Sequence, residues 1–135
     1  MRREVRVKIG AASDVVIARE SAREIAFLAG FDVSDSTLIT TAISEMTRNI
    51  LQYASSGEVT ISLLMNGSKN GVKIVAKDEG PGIEDISQVM QDGYSSQKGM
   101  GIGLPGAKRL MDEFEIRSTP GKGTTITMMK WTRNQ

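Results

Sequence analysis

The chain has 135 residues, of which 39% are hydrophobic and 24% are charged, and its formal net charge is +1. This composition is ordinary for a globular protein, and the small charge argues against a bulk nucleic-acid binder, which carries a marked basic excess. The chain has no histidine and no cysteine, so imidazole and thiolate chemistry are excluded and acid–base work falls to Asp, Glu, Lys or Tyr.

The N-terminal part of the chain predicts a strand followed by a helix. Residues 4–9 alternate polar and apolar side chains, which is typical of a half-buried strand. Apolar residues then recur at helical spacing, with Ser13 or Asp14 as the predicted cap and Gly30 as the predicted stop. We interpret this first helix as scaffold.

A second helix is predicted to begin at Ser34 or Asp35 and to end at Ala54, with a core stripe formed by Ile39, Ile43, Met46 and Ile50. On this helix Glu45 and Asn49 lie about 40° apart, at the rim of the stripe. A carboxylate and an amide one turn apart can hold an ion and a reacting hydroxyl together, although alone they also fit an ordinary solvated pair. Without histidine or cysteine, the ion would be hard and oxygen-seeking, such as Mg²⁺.

The middle of the chain predicts a β-hairpin. Residues 59–63 and 72–77 have strand character, and a turn rich in Asn and Gly separates them. The second strand delivers Asp78 to a strand end, directly before Gly80 and Gly82. A carboxylate there can accept a hydrogen bond from an exocyclic amine such as adenine N6, and it can equally cap the turn.

Residues 78–106 hold seven of the chain's 14 glycines. Successive exposed N–H groups that lead into a helix form an anion site, so phosphate is the expected ligand, with a loose surface loop as the alternative. A short helix is predicted over residues 83–90 and a polar loop over residues 92–98. A further helix is predicted over residues 105–114, because its apolar residues Ala107, Leu110, Met111 and Phe114 follow helical spacing.

The C-terminal part predicts a short strand around Ile116 and a last strand over residues 124–131, joined by a glycine-rich turn. Tight turns between strands imply a mainly antiparallel sheet. The sequence therefore predicts one α+β domain over residues 1–135, a two-layer sandwich in which helices cover one face of a mainly antiparallel mixed sheet.

Residues 101–106 satisfy the pattern G-x-G-x-x-G, but three well-known glycine motifs are excluded, because each needs a residue that the chain lacks at the required position. A dinucleotide-binding fingerprint needs an acidic residue about 20 positions later, where Ile126 stands. The usual protein-kinase fold needs a His-Arg-Asp catalytic loop, and the chain has no histidine. A Walker A loop needs Gly-Lys-Ser/Thr, and Gly121-Lys122 is followed by Gly123.

Four short motifs carry a resemblance to a known superfamily. In chain order they are Glu45-x-x-x-Asn49, Asp78-x-Gly80-x-Gly82, Gly99-x-Gly101-x-Gly103 and Gly121-x-Gly123-Thr124. Together they resemble the N, G1, G2 and G3 boxes of the GHKL ATP-binding superfamily, which has the Bergerat fold. The short loop before Gly99 and the absence of a histidine-bearing dimerisation segment resemble the anti-sigma-factor type of serine/threonine kinase within this superfamily. The sequences of residues 41–45, 101–106 and 108–114 are closer still to those of the switch kinases of the stressosome.

The resemblance implies ATP and Mg²⁺ as cofactors and assigns a role to each box. Asp78 would accept a hydrogen bond from the adenine amine, with Thr124 supporting it beneath the base. Gly80 and Gly82 would line the nucleoside. Asn49 would coordinate Mg²⁺ bound to the phosphates.

In the same resemblance, Glu45 would be the general base that takes the proton from an attacking serine or threonine hydroxyl. The backbone around the third motif would wrap the phosphates beneath a lid formed by residues 92–98. Some relatives carry an arginine in this lid, and Lys98 would replace it as a point charge without arginine's fork. The remaining predicted cofactor-binding residues are Gly99, Met100, Gly101, Ile102, Gly103 and Leu104.

The implied function is a kinase that phosphorylates STAS-domain scaffold and antagonist proteins of a bacterial stress complex and, once released, activates a PP2C-type phosphatase. The alternative is a nucleotide-gated binding module without essential phosphotransfer. Glu45 separates the two, because docking alone does not use a base. A third interpretation, a detached histidine-kinase catalytic domain, needs a phosphoacceptor histidine in another chain.

No apolar run reaches the roughly 18 residues of a membrane span, and the residues Met1-Arg2-Arg3-Glu4 lack a signal-peptide core. The absence of cysteine also fits the cytoplasm. We therefore expect a cytoplasmic protein that acts on protein partners, with no nucleic acid and no membrane among them.

Overall fold

The computed structural model of the chain describes residues 4–83, 90 and 103–133. In chain order its elements are β1 (Glu4–Ile9), α1 (Ser13–Ala29), α2 (Val33–Tyr53), β2 (Gly57–Asn66), β3 (Lys69–Asp78), α3 (Gly103–Leu110), β4 (Glu113–Thr119) and β5 (Gly123–Trp131). The predicted helix over residues 83–90 lies almost wholly outside the described residues, as does the predicted loop over residues 92–98.

The five strands form one sheet in the spatial order β1-β2-β3-β5-β4. Every neighbouring pair is antiparallel, which confirms the predicted mainly antiparallel sheet, and the described residues contain no parallel pair. The predicted hairpin is also confirmed, but its turn is tighter than expected. Only Gly67 and Ser68 separate β2 from β3, while Asn70 and Gly71 already belong to β3.

The sheet and the helices form two layers, as the alternation in the strands predicts. One face of the sheet packs against the helices, and its fully buried side chains include Ile9, Val59, Ile61, Val72, Ile74 and Met128. The opposite face carries polar and charged side chains that are half-buried or exposed, among them Arg6, Thr60, Lys73, Glu115 and Thr127. The predicted α+β sandwich with helices on one face is therefore confirmed.

Helix α2 is the central helix of the core. Its predicted stripe of Ile39, Ile43, Met46 and Ile50 is at most 2% exposed at every position. The stripe packs between α1 and the sheet, which places the neighbouring residues of α2 at the edge of the core. None of the helices in the described part of the chain is long and apolar enough to cross a membrane.

The structure confirms the predicted C-terminal end of α1 but not its predicted N-terminal cap. Gly30 ends the helix in a left-handed conformation at φ 97°, which glycine adopts without strain. The predicted cap by Ser13 or Asp14 is wrong, because both residues already lie within the helix. The Asp14 carboxylate instead accepts hydrogen bonds from the N–H groups of Gly10 and Ala11 and so fixes the turn after β1.

The N-terminus of α2 is capped by a residue that the sequence analysis did not single out. The helix begins at Val33, and the Asp32 side chain accepts a hydrogen bond from the Asp35 N–H at 2.8 Å. Asp32 has an extended backbone, which aims its carboxylate at the N–H groups that have no partner within the helix.

We expect Asp32→Ala to lower the free energy of unfolding by about 1 kcal/mol, the usual loss for a removed N-cap. The matched control is Ser34→Ala, because Ser34 is an exposed cap-type residue two positions later with no capping hydrogen bond. Urea denaturation of both variants measures the difference. Equal losses in the two variants would contradict the assignment of Asp32 as the cap.

The predicted helix over residues 105–114 is too long at its C-terminal end. Helix α3 ends at Leu110, and Phe114 lies in β4, opposite Met128 of β5. The Asp112 N–H donates to the Met129 carbonyl, so the chain joins the sheet two residues after the helix ends. Phe114 still packs against the core, because strand alternation buries it as well as helical spacing would.

Candidate active site

Three polar side chains stand side by side at one end of the sheet. Asp78 of β3 pairs with Thr124 of β5, and Thr124 pairs with Ser118 of β4. The alternation of each strand turns all three toward the helices. The fold therefore brings the two predicted adenine-binding residues together, and it adds Ser118, which the sequence analysis missed.

The two carboxylate oxygens of Asp78 differ in their contacts. Its Oδ1 accepts a hydrogen bond from the Gly80 N–H at 2.9 Å, so Asp78 does fix the turn that follows β3. Among the described residues, no hydrogen bond engages Oδ2. Capping of the turn through Oδ1 therefore does not exclude the other role left open by the sequence, which is to accept a hydrogen bond from an exocyclic amine.

Glycines allow the two segments around Asp78 to touch through their backbones. A Cβ on Gly82 would overlap the Thr119 carbonyl, and a Cβ on Gly123 would overlap the Asp78 carbonyl. Both glycines also have a positive φ, of 78° and 96° respectively. The close packing of these segments therefore sets the position of the Asp78 side chain relative to its neighbours.

Gly80 lies against the end of α2. A Cβ at this position would lie 2.6 Å from the Ala54 Cβ, too close for any side chain. The protein's own packing thus accounts for glycine at Gly80 and Gly82. Their predicted contact with a nucleoside stays a prediction.

Glu45 of α2 has a buried carboxylate that lies next to the first residue of α3. The residue is 6% exposed, and its Oε1 accepts a hydrogen bond from the Gly103 N–H at 3.0 Å. Its Oε2 accepts a hydrogen bond from Arg48 Nη1 at 3.1 Å. A solvated surface pair is therefore excluded for Glu45, whose charge faces the positive end of the α3 dipole.

The other end of α3 contacts a buried cation. Lys130 of β5 is 5% exposed, and its Nζ donates a hydrogen bond to the Leu110 carbonyl at 2.9 Å. An ammonium at the C-terminus of a helix complements both the dipole and the unsatisfied carbonyls. Glu45 and Lys130 together fix α3 at both ends, and with it the position of Gly103.

Asn49 lies one turn after Glu45 and is half-buried. Within the described part of the chain, no hydrogen bond engages its side chain, so the amide oxygen is available to a ligand. No group of three or more acidic residues that could hold a metal occurs among the described residues. A single protein oxygen fits Mg²⁺ that takes its other ligands from phosphates and water.

The remaining predicted cofactor-binding residues divide into two groups. Gly103 and Leu104 open α3, where Gly103 has a φ of 70°. The Leu104 side chain is 4% exposed and belongs to the core, so its predicted contact with a ligand would have to be made by the backbone and stays a prediction. Outside the described residues lie Lys98, Gly99, Met100, Gly101 and Ile102, whose roles stay predictions.

A cleft of about 600 Å³ opens at the same end of the sheet, within the usual size range of small-molecule sites. Besides Asp78, Ser118 and Thr124, its lining includes Lys77, Arg117, Thr119 and Thr125, whose side chains alternate onto the sheet face opposite the helices. The cleft therefore lies at the end of the sheet and is not confined to the side on which Asp78, Ser118 and Thr124 face the helices.

Residues 11–130 match the family model of the histidine kinase-like ATPase domain. The chain belongs to this family. The match covers every element from α1 to the end of β5 except its last residue, and it includes all four predicted boxes. The resemblance inferred from the boxes is therefore confirmed.

Similar curated proteins include a protein kinase of this ATPase family. The chain is 50% identical over 127 residues to the serine/threonine-protein kinase RsbT of Bacillus subtilis (strain 168), across 94% of this chain and 96% of the relative. It is 35% identical over 114 residues to the anti-sigma F factor of Thermoanaerobacter sp. (strain X514), across 78% of each chain. These likenesses assign the chain to the protein kinases of the family, with relatives in sigma-factor regulation.

Two solved structures share the fold. The chain aligns with the RsbU and RsbW domains of Rv1364c from Mycobacterium tuberculosis at a TM-score of 0.63 and 19% identity, covering 94% of this chain and 32% of that one. It aligns with the SiaB–SiaC complex from Pseudomonas aeruginosa at a TM-score of 0.54 and 16% identity, covering 96% and 89%. At these identities the likeness shows the fold alone.

Three residues of the site escaped the sequence analysis. Arg48 was detectable, since it lies three positions after Glu45 on the same helix. Lys130 interrupts the apolar face of the last strand, and a lysine there needs a buried acceptor. Ser118 gave no signal, because its partners lie on other segments of the chain.

Proposed function

We propose that this protein binds ATP with Mg²⁺ and transfers the γ-phosphoryl group to a serine or threonine hydroxyl of a STAS-domain protein. The observation that carries the proposal is the Glu45 carboxylate. It is buried, hydrogen-bonded to the start of the glycine-rich helix at Gly103, and one turn from the available amide of Asn49. Fixing α3 would serve a binding module as well, but a proton acceptor beside the amide of Asn49 is needed only for phosphotransfer.

Each side chain then has a physical role. Asp78 Oδ2 accepts a hydrogen bond from the adenine amine and orients the base. Asn49 supplies one oxygen to Mg²⁺, which neutralises phosphate charge when it is bound. Since phosphoryl transfer depends mainly on positioning and charge neutralisation, the fixed α3 and the carboxylate of Glu45 provide what the reaction needs from the protein.

The reaction balances with one proton acceptor. The partner's hydroxyl oxygen bonds to the γ-phosphorus while the bond from that phosphorus to the bridging oxygen breaks, and ADP leaves. The hydroxyl proton passes to Glu45. The contacts with Gly103 and Arg48 orient the carboxylate for this step.

Protein partners are supported by the relatives, whose names describe a protein kinase and anti-sigma factors. A folded partner can supply the hydroxyl on its own surface, so the kinase needs no deep substrate groove. We propose STAS-domain scaffold and antagonist proteins of a stressosome as the substrates, and a PP2C-type phosphatase as the target activated after release. The proposed location is the cytoplasm.

A specific observation favours a second candidate function, the nucleotide-gated binding module. Large apolar side chains are exposed on and beside α1, and they are Val16, Ile17, Phe27, Leu28 and Val33, at 43% to 84% exposure. Exposed apolar surface of this kind marks contact sites. Docking through this surface is compatible with phosphotransfer and does not involve Glu45.

The proposal is tested by incubating the purified protein with a STAS-domain partner and γ-labelled ATP, with and without Mg²⁺. We expect Mg²⁺-dependent label on the partner that survives acid, as phosphoserine and phosphothreonine do. Acid-labile label would point to histidine phosphorylation. A protein that binds both ATP and the partner but transfers no phosphate would be the binding module.

Asn49→Ala tests the metal assignment in the same assay. We expect this variant to bind ATP equally with and without Mg²⁺, because the protein's contact with the ion is lost. Asn66→Ala is the matched control, since Asn66 is an exposed amide at the far end of β2. A persistent Mg²⁺ dependence in Asn49→Ala would contradict the assignment.

A further inference from the structure

Lys130 is a buried cation with no role in the proposed reaction so far. It lies on the helix-facing side of β5, where its register partner on β3 is the fully buried Val72. Its Nζ donates one hydrogen bond, to the Leu110 carbonyl, and no carboxylate of the described residues forms an ion pair with it. One hydrogen bond to a neutral carbonyl does not replace the hydration that a buried ammonium loses, so packing alone does not account for a lysine at this position.

Two further hydrogen bonds join the end of α3 to β5. The Asp112 N–H donates to the Met129 carbonyl at 2.9 Å, and the Asp112 carboxylate accepts from the Trp131 N–H at 2.8 Å. Together with the bond from Lys130 to Leu110, these contacts engage three successive residues of β5. We call the three hydrogen bonds the α3 clamp, because they hold the chain where α3 ends.

The position of α3 depends strongly on its two ends. Its buried residues are mostly small, and only Leu104 among them has a large side chain; they are Gly103, Leu104, Pro105, Gly106 and Ala107. Small residues allow a close approach to a neighbouring element but provide few side chains that interlock with it. The start of α3 is held by the Gly103 N–H, which donates to Glu45 Oε1 at 3.0 Å, and its end is held by the α3 clamp.

We propose that Lys130 is a positioning residue for phosphoryl transfer and that it acts through Glu45. An α-helix transmits a shift of one end to the other, since its backbone is rigid over the roughly 10 Å from Leu110 to Gly103. Lys130 holds α3 where the Gly103 N–H meets the Glu45 carboxylate, and that hydrogen bond orients the proton acceptor. This inference rests on the proposed function, in which Glu45 takes the proton of the attacking hydroxyl.

A purely structural role of Lys130 makes a different prediction. If Lys130 only stabilised the fold, its loss would reduce the fraction of folded protein, and the folded molecules would transfer phosphate at the wild-type rate. If Lys130 acts through Glu45, the folded variant transfers slowly, and this defect disappears once Glu45 itself can no longer take a proton. The decisive measurement is therefore the transfer rate of folded protein with Glu45 and with Glu45→Gln.

The test is single-turnover transfer of labelled phosphate to the STAS-domain partner at saturating Mg-ATP, with urea denaturation of each variant to measure the folded fraction. We expect Lys130→Met to lower the rate by about 10- to 100-fold, because a displacement of about 1 Å at a reacting group has an effect of this size. Lys73→Met is the matched control and keeps the wild-type rate, since Lys73 is a strand lysine on the opposite face of the sheet.

The double variant tests whether Lys130 acts through Glu45. In the Glu45→Gln background we expect Lys130→Met to cause no further loss, because the group that it positions no longer takes a proton. A further loss by the same factor in that background overturns the inference while the proposed function stands. A wild-type rate from folded Lys130→Met does so too.

Asp112→Ala takes the place of Lys130→Met if that variant does not fold. Asp112 is exposed, and its side chain holds the same end of α3 through Trp131. We expect a slower transfer that is again absent from the Glu45→Gln background, and a wild-type rate from Asp112→Ala would then overturn the inference. A wild type that transfers no phosphate overturns the proposed function as well.

Discussion

Glu45→Gln lowers phosphate transfer to a protein hydroxyl by about 10²- to 10⁴-fold, the contribution expected of a general base. Glutamine has nearly the same shape as glutamate, and its amide oxygen can still accept the hydrogen bond from the Gly103 N–H. It cannot take a proton from the attacking hydroxyl. We therefore expect the rate to fall while α3 stays in place and ATP binding stays within a few-fold of the wild type.

The measurement is single-turnover transfer of labelled phosphate to the partner, alongside calorimetry with Mg-ATP. Glu20→Gln is the matched control, because Glu20 is an exposed carboxylate on α1 that also pairs with an arginine three residues away. We expect wild-type transfer from this variant. If Glu45→Gln transferred phosphate at the wild-type rate, Glu45 would not be the general base. If this variant lost ATP binding, Glu45 would have a role in nucleotide binding instead.

Gly123→Ala lowers the free energy of unfolding by roughly 3 kcal/mol or more and abolishes ATP binding. Two effects combine at this position. The backbone has a φ of 96°, which strains any residue with a Cβ, and the added Cβ would overlap the Asp78 carbonyl. The overlap involves backbone, so relief requires β5 and the end of β3 to move apart, which displaces Asp78 from Thr124.

Gly121→Ala separates these two effects. Gly121 has a φ of 80°, and a Cβ there would meet nothing within 4 Å, so this variant bears the backbone strain alone. We expect it to lose about 1 kcal/mol of stability and to keep ATP binding. Chemical denaturation and calorimetry on both variants give the comparison. Equal losses from Gly121→Ala and Gly123→Ala would contradict the close contact between β5 and Asp78.

Local patterns in the sequence were sufficient for much of the fold. The alternation of apolar and polar residues in β1, β2, β3 and β5 shows which face of each strand is buried, because successive side chains of a strand point to opposite faces of the sheet. The stripe on α2 identifies the core side of that helix, and with it the rim position of Glu45 and Asn49. The spacing of the glycine boxes identified the family, since each box keeps a short local pattern.

Local patterns failed where a contact between distant segments decided the outcome. The end of α3 is set by pairing of β4 with β5, and helical spacing alone extends that helix through Phe114. The α2 cap depends on the backbone direction at Asp32, which the packing of α1 against α2 fixes. Several cap-type residues stand close together there, so residue type could not select one of them.

The sequence by itself determined the layers, the antiparallel hairpin and the kind of residues in the site. Only the tertiary structure decided how those residues are held: Glu45 against the Gly103 N–H, 58 positions away, and the Thr124 hydroxyl against Ser118. The physical reason is that periodicity reports which face of an element is buried. The direction of a single hydrogen bond depends on which donors and acceptors folding brings within about 3 Å of each other.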